Sequence, residues 1–154
     1  MQGEQETLLE GYRILDLTDE KGFLCGKILG EMGADVILVE KPGGSSARQI
    51  GPFYKEIPHP EKSLFWFAYN ANKRGITLDL DKEEGRLLFE KLVRTADVIV
   101  ESFTPGYMES LGFGYEQLSQ INPRIILTSI SCFGQKGPYS HYKGSDMICW
   151  AMGE

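Results

Sequence analysis

A strand–helix–strand pattern near the start of the chain limits its possible folds more than any other feature. The run YRILDL (residues 12–17) is rich in β-forming residues, and DVILVE (residues 35–40) is a second apolar segment. Thr18 or Asp19 is predicted to cap a helix between them, and Gly33 to end it. The apolar positions at helical spacing in this helix are Leu24, Cys25, Ile28, Leu29 and Met32. Strand, helix and strand within about thirty residues make a βαβ unit, whose strands are parallel.

The same alternation continues along the rest of the chain. Residues 64–69 (LFWFAY) predict a short aromatic helix, and further strands are predicted at residues 76–80, 97–103 and 124–131. A capping-box spacing at Asp81 opens another predicted helix. The apolar positions of that helix are Leu87, Leu88, Leu92 and Val93. The order of elements predicts an α/β fold, namely a Rossmann-like, doubly wound, mainly parallel sheet with helices on both faces.

Ligands of doubly wound sheets bind beyond the carboxyl ends of the strands, and an acid at the second of these ends holds the ribose of NAD. Glu40 stands at that position in this sequence. However, the phosphate-binding G-x-G-x-x-G turn is missing, because the first turn has glycines only at Gly22 and Gly26. The NAD interpretation therefore fails, and Glu40 is interpreted as a solvated acid at a strand end.

Composition excludes several classes of protein. The 154 residues are 42% hydrophobic and carry a formal net charge of −6, which suits a globular domain and argues against nucleic-acid binding. Three widely separated cysteines and two histidines show no metal-ligand spacing, so reduced thiols and no metal site are expected. The acidic N-terminus lacks the apolar core of a signal peptide, and the apolar run at residues 64–69 is too short to span a membrane. We expect a cytoplasmic protein.

Several motifs together identify a family resemblance. They are GADVILVEKPGG (residues 33–44), NANKR (70–74), LDL (78–80), ADVIVESFTPG (96–106), NPR (122–124) before SISCFGQKGPY, and GSDMICWAMGE (144–154). In this order they resemble the N-terminal part of the class III CoA-transferases, which include formyl-CoA and carnitine CoA-transferases. The likeness covers almost all of residues 11–154.

The resemblance implies a Rossmann-like domain that binds CoA as a substrate, with no permanently bound cofactor. Residues 1–10 are expected to be a flexible N-terminus, and residues 11–154 the CoA-binding domain. Because the apolar helix predicted to open within residues 144–154 has no ending signal, we expect a partial chain. The family's nucleophilic aspartate is then expected beyond residue 154, so no catalytic residue is assigned and the chain alone is expected to be inactive. An interlocked homodimer is implied for the complete protein.

The resemblance also assigns CoA-binding residues. Lys41 matches a contact to the ADP phosphates, and Lys143 matches a second basic contact. The segments implied to line the CoA site are Leu78, Asp79, Leu80 and Asp81, together with Ser102, Phe103 and Thr104. Alternatives remain for several positions, since Phe103 could belong to the core, either lysine could be a solvated charge, and residues 72–74 could form a polar hairpin corner. Ser102 replaces an asparagine of the family, and Asp81 replaces a basic residue.

The implied reaction moves CoA from an acyl-CoA thioester to a carboxylic acid through an aspartyl anhydride and an aspartyl-CoA thioester. One alternative is an acyl-CoA racemase of the same fold, in which a histidine in a Gly-His-Asp triplet acts as a base. Here that triplet is Gly144-Ser145-Asp146, and serine is a poor base near neutral pH. A second alternative is a non-catalytic CoA-binding fragment.

Overall fold

The computed structural model describes residues 7–153. The strands are β1 (Arg13–Leu17), β2 (Asp35–Glu40), β3 (Arg74–Thr77), β4 (Val98–Glu101) and β5 (Ile126–Ser129). The helices are α1 (Phe23–Glu31), α2 (Leu64–Asn70), α3 (Glu83–Val93), α4 (Tyr107–Ser110), α5 (Tyr115–Ile121) and α6 (Asp146–Met152). Of the predicted flexible N-terminus, residues 1–6 lie outside the described residues. Leu9 belongs to a turn that is tied to the end of α1, because its N–H donates to the Met32 carbonyl at 2.9 Å.

All five strands are parallel, in the order β3-β2-β1-β4-β5. Ile14 of β1 lies opposite Val36 on one side and Val98 on the other, so β1 is the central strand. The chain leaves β1 in one direction to form β2 and β3, and returns to the other side of β1 to form β4 and β5. This reversal is the topological switch point at which doubly wound folds bind ligands. The predicted fold class is confirmed.

Helices cover both faces of the sheet because successive strand residues point to opposite sides. On one face, Leu15 and Ile99 pack with α3, α4 and α5. The rings of Phe89 and Phe113 meet edge to face there, with centroids 4.8 Å apart. On the other face, Val36 and Val100 pack beneath α1, while Leu38 packs against Phe23 of α1 and Trp66 of α2. Each fully buried large apolar side chain contributes about 1.5–3 kcal/mol.

The predicted contact face of α1 was only partly right. Leu24 and Ile28 are exposed, whereas Phe23, which the spacing did not include, is fully buried. Gly26 sits so close to β1 that a Cβ atom there would overlap the Asp16 carboxylate. Because α1 lies against β1 through Gly26 and Phe23, Leu24 and Ile28 are on the side of the helix that faces solvent. Neither predicted residue caps α1, which begins after Gly22 without a side-chain cap.

Corrections also apply to α3 and β3. Leu87 and Leu88 are exposed, whereas the predicted Val93 is buried and the predicted Leu92 packs against the core. The helix also packs through Phe89, which the spacing did not include. The predicted capping box does not form, since Lys82 is the N-cap and makes no side-chain cap bond. Strand β3 ends at Thr77, so the LDL segment (residues 78–80) is a loop beyond the strand. Residues 72–74 are not a hairpin corner, because they lead into a strand parallel to its neighbour.

Candidate functional site

A cavity of about 220 Å³ opens at the carboxyl ends of β1, β2, β3 and β4. Its walls are Leu17, Thr18, Phe23, residues 38–41, Ser45, Ser46, Trp66, residues 78–81, Phe103 and Tyr107. The loops that follow parallel strands all emerge at this edge of the sheet, which is why segments far apart in sequence meet here. We call this space the first cavity.

A second cavity, of about 430 Å³, lies beside the loops after β4 and β5. Its walls are Lys21, residues 102–105, residues 131–133 and residues 140–144. The hydroxyl oxygen of Ser131 is buried and has no hydrogen-bond partner among residues 7–153. Phe103 lines both cavities and therefore forms the boundary between them.

All nine residues assigned from the sequence lie at these cavities. Lys41, Phe103 and residues 78–81 line the first cavity, while Ser102, Phe103, Thr104 and Lys143 line the second. Their surroundings differ, since Lys41 and Lys143 are exposed whereas Leu78 and Leu80 belong to the buried core. These two leucines form the floor of the cavity.

Ser102 and Phe103 are both held by contacts within the protein. The Ser102 hydroxyl accepts a hydrogen bond from the Asp19 N–H and donates to the Asp19 carboxylate, both at 2.8 Å. Ser102 thereby joins the loop after β4 to the loop after β1. Phe103 packs against Tyr107 with ring centroids 4.8 Å apart and also contacts the core, so its interpretation as a core residue is partly right.

The α3 side of the first cavity is acidic. The Tyr107 hydroxyl donates to the Asp81 carboxylate at 3.0 Å, and Asp79 lies 3.4 Å from the ammonium of Lys82. Burial raises the pKa of Tyr107, and the hydrogen bond to Asp81 raises it further, so the phenol keeps its proton. Carboxylate oxygens accept hydrogen bonds, so this wall suits the hydroxyl or amino groups of a ligand rather than its phosphates.

Arg48 is a residue that the sequence reasoning missed. Its Nε and Nη2 donate to the two carboxylate oxygens of Glu40 at 2.8 and 2.7 Å, and its Cζ lies 4.0 Å from the centre of the Trp66 ring. Nη1 donates to Glu61 at 2.8 Å. In the sequence, Arg48 is a single arginine in a glycine- and serine-rich loop. A loop has no periodic pattern, so nothing in the sequence indicated which residues Arg48 contacts.

These bonds decide the role of Glu40. Burial raises its pKa, but the hydrogen bonds from Arg48 and the Ser45 N–H, together with the charge of Arg48, outweigh burial and lower the pKa overall. The side chain of Glu40 is only 9% exposed. The interpretation as a solvated acid is therefore wrong, and both oxygens are bonded within the protein instead of facing a ribose.

A second missed feature is a buried ion pair between Asp16 of β1 and Lys73. Both side chains are 0% exposed, and the Lys73 ammonium lies 2.8 Å from the Asp16 carboxylate and 2.9 Å from the Phe23 carbonyl. The other oxygen of Asp16 accepts from the N–H and hydroxyl of Thr18, at 3.0 and 2.6 Å. Burial lowers the pKa of Lys73, although Asp16 opposes this. The pair thus holds the Thr18 turn, which lines the first cavity.

Glu101 is a third buried acid at this edge of the sheet, at the end of β4. Burial raises its pKa, and bonds from the Ser129 side chain and the Phe103 N–H, the latter at 2.7 Å, offset this only in part. By holding the Phe103 backbone, Glu101 fixes the boundary between the two cavities.

Two other kinds of site are absent from residues 7–153. No group of three or more histidine, cysteine, aspartate or glutamate side chains there could hold a metal ion. None of the helices in the same range has the length and apolar character needed to cross a bilayer.

The strand order, the switch-point cavity and its mixture of apolar, acidic and basic walls define a Rossmann-like ligand-binding domain without the NAD fingerprint. Comparison with known proteins gives the family. The chain belongs to CoA-transferase family III, whose sequence model matches residues 9–153.

Curated relatives are CoA-transferases by name. The chain is 44% identical over 141 residues to succinyl-CoA:(R)-benzylsuccinate CoA-transferase subunit BbsE of Thauera aromatica, covering 92% of this chain and 34% of the relative. It is 42% identical over 145 residues to acetyl-CoA:oxalate CoA-transferase of Acetobacter aceti, covering 93% and 36%. A crystal structure of a CAIB/BAIF family protein from Brucella suis superposes with a TM-score of 0.87 and 38% identity, over 97% of this chain and 40% of that one. The chain spans about a third of the length of these curated relatives.

Proposed function

We propose that this chain is the CoA-binding part of an enzyme that moves CoA from an acyl-CoA thioester to a carboxylic acid. The observation that carries the proposal is the pair of cavities that meet at Phe103, with Lys41 beside one and Lys143 beside the other. A long ligand with anionic groups and an apolar arm matches such a divided groove. The membership in CoA-transferase family III supports the same assignment.

In this proposal, the two cavities bind different parts of CoA. Lys41 contacts the phosphates of the ADP end, because an exposed ammonium at a strand end forms charge-assisted bonds to phosphate oxygens. Asp79 and Asp81 accept from ribose hydroxyls or the adenine amino group. The pantetheine arm passes Phe103 into the second cavity, where the Ser131 hydroxyl supplies a polar partner and Lys143 a positive charge.

The chemistry that we propose uses an aspartate outside this sequence as the nucleophile. Its carboxylate attacks the thioester carbonyl, the C–S bond breaks, and CoA leaves as a thiolate while an acyl-aspartyl anhydride forms. The thiolate then attacks the aspartyl carbonyl of the anhydride and releases the donor acid, which gives an aspartyl-CoA thioester. The acceptor acid attacks the carbonyl of that thioester, the C–S bond breaks, and a second anhydride forms between the acceptor and the aspartate. The released thiolate then attacks the acceptor's acyl carbonyl in this anhydride, which gives the new acyl-CoA and frees the aspartate carboxylate. Residues 7–153 bind and orient CoA in these steps.

The racemase alternative is weaker at this site. Ser145 stands where the racemase resemblance calls for a histidine, and it is exposed at the start of α6. Its hydroxyl cannot remove an α-proton near neutral pH without a partner base.

For the complete protein we propose a cytoplasmic homodimer. An assembly of unlike subunits is a second candidate, because the relative from Thauera aromatica is named as a subunit. The native mass of the complete protein, purified with and without co-expressed neighbouring genes, separates the two arrangements.

Binding of CoA to the 154-residue chain, measured by isothermal titration calorimetry, tests the proposal. Lys41→Ala is expected to weaken binding about 10- to 100-fold, because a charge-assisted bond contributes about 1.5–3 kcal/mol. Lys91→Ala, which removes an exposed lysine from α3 outside both cavities, is the matched control and should bind normally. Equal affinity of the Lys41 and Lys91 variants would refute the phosphate contact, and absence of CoA binding by the wild type would refute the function.

A further inference from the structure

We infer that Arg48 is a positioning residue that makes the rim of the first cavity able to accept a phosphate, by holding and neutralising Glu40. The inference rests on the proposed function and extends it to a residue that does not line either cavity. It concerns the charge that the ligand meets beside Lys41.

The need for such a residue follows from the position of Glu40. Glu40 precedes Lys41 directly and lines the same cavity. Without a partner its carboxylate would repel a phosphate bound at Lys41, and the repulsion would be strong because the side chain is largely shielded from water. A phosphate site beside this acid therefore requires a neutralising cation.

The geometry of Arg48 meets this requirement in a way that a lysine could not. Its guanidinium engages both oxygens of Glu40 and at the same time lies over Trp66. A planar fork can make paired bonds and stack on an indole, whereas an ammonium is a single point of charge. Arg48 is thus held from two sides, and the Glu40 carboxylate is fixed beneath it.

The same contacts fix the loop that forms the cavity wall. The Ser45 N–H donates to Glu40 at 2.9 Å, and the Ser45 hydroxyl accepts from the Ala47 N–H at 3.2 Å. Ser45 and Ser46 line the first cavity. Arg48 therefore sets both the charge and the shape of the wall next to Lys41.

A double-mutant cycle that removes the two charges singly and together tests the inference. Binding of 3′,5′-ADP and of pantetheine, which has no phosphate, is measured for the wild-type chain, Arg48→Met, Glu40→Gln and the double variant. Arg48→Met is expected to weaken 3′,5′-ADP binding about tenfold or more and to leave pantetheine binding unchanged, because only the phosphates meet the exposed charge of Glu40. Removing that charge as well should restore 3′,5′-ADP affinity to within about threefold of the wild type.

Each outcome separates the inference from the proposed function. Normal 3′,5′-ADP binding by Arg48→Met, or a double variant as weak as Arg48→Met, would overturn the neutralising role while CoA binding by the wild type still stood. A wild-type chain that binds neither CoA nor 3′,5′-ADP would overturn both. Circular dichroism confirms that each variant is folded. If Arg48→Met does not fold, Arg48→Gln with and without Glu40→Gln decides the same question, because glutamine also removes the positive charge while keeping a polar side chain.

Discussion

Two ion pairs lie at the carboxyl edge of the sheet, with their acids on the neighbouring strands β1 and β2. They have similar contact distances but differ in burial and in the type of cation. Asp16–Lys73 and Glu40–Arg48 have closest approaches of 2.8 and 2.7 Å. The first pair is fully buried, whereas Arg48 and Glu40 keep 18% and 9% of their side-chain surface exposed. Contact distance alone therefore does not reveal what an ion pair does in this molecule.

The choice of cation follows the surroundings of each pair. The compact ammonium of Lys73 fits between Asp16 and the Phe23 carbonyl, and burial is the largest influence on its pKa, which is lowered. The hydrogen bonds to Glu40 are the largest influence on Arg48, and they raise its pKa. The inner pair ties β1 to α1 and to the start of β3, while the outer pair shapes a surface that a ligand meets.

The largest expected effect comes from breaking the inner pair. Lys73→Met leaves the Asp16 carboxylate buried without its cation, so the free energy of unfolding should fall by about 3–5 kcal/mol. Asp16→Asn in the same chain removes the stranded charge and should recover a large part of that loss. Urea unfolding of the wild type and the two variants provides the comparison. A double variant less stable than Lys73→Met would show that charge is not what makes the site sensitive.

The outer pair should give a smaller and pH-dependent effect. Glu40→Gln is expected to lower the free energy of unfolding by about 1.5–3 kcal/mol near neutral pH, because bonds between two charged groups are lost. Although burial raises it, the hydrogen bonds and charge of Arg48 hold the pKa of Glu40 below its ordinary value in the folded state. Its contribution is therefore complete above the unfolded-state pKa and disappears as the pH falls through the folded-state pKa. The difference between wild type and variant should therefore shrink in acid. A difference that stayed constant from neutral to strongly acidic pH would rule out ionic stabilisation by Glu40.

A surface ion pair between β2 and β3 is expected to contribute least to stability. Arg74 lies 2.9 Å from Asp35, but its side chain is 68% exposed, and Arg13 also bonds Asp35 at 2.8 Å. Arg74→Ala should change the free energy of unfolding by less than about 1 kcal/mol, and added salt should reduce the change further. A loss as large as that of Glu40→Gln would mean that burial does not order these three pairs.

The parts of the fold that the sequence predicted are those governed by local patterns. Apolar runs such as residues 35–40 identified the strands, and their alternation with helices identified a parallel sheet. The exposed Leu24 and Leu88 show where periodicity failed, because it finds apolar positions but not which of them meet the sheet. That choice depends on contacts such as Gly26 against Asp16, which belong to the tertiary structure.

In the candidate site too, local motifs were predictable from the sequence, whereas contacts between distant residues were not. The family resemblance placed Lys41 and Phe103 at the strand ends, where the structure has the cavities. The pairing of Asp16 with Lys73 joins residues 57 positions apart, and a single sequence gives no sign of which acid meets which base. Arg48 was missed for a related reason, since its function depends on Glu40 and Trp66 lying on either side of it.

Because β1 is the central strand, its two neighbours, β2 and β4, are synthesised at very different times. Of the five strands, β1 is synthesised first, whereas its second neighbour, β4, is synthesised fourth. The backbone N–H of Arg13, at the start of β1, donates to the carboxylate of Asp97, which is 84 positions later. Contacts this distant in sequence form slowly, because a long loop must close before they form. Until then, one edge of β1 stays open, and Asp16 stays in water until Lys73 has been synthesised. Among the five strands described, the central one therefore waits longest for its second neighbour, and its open edge is where a chaperone would have most to protect.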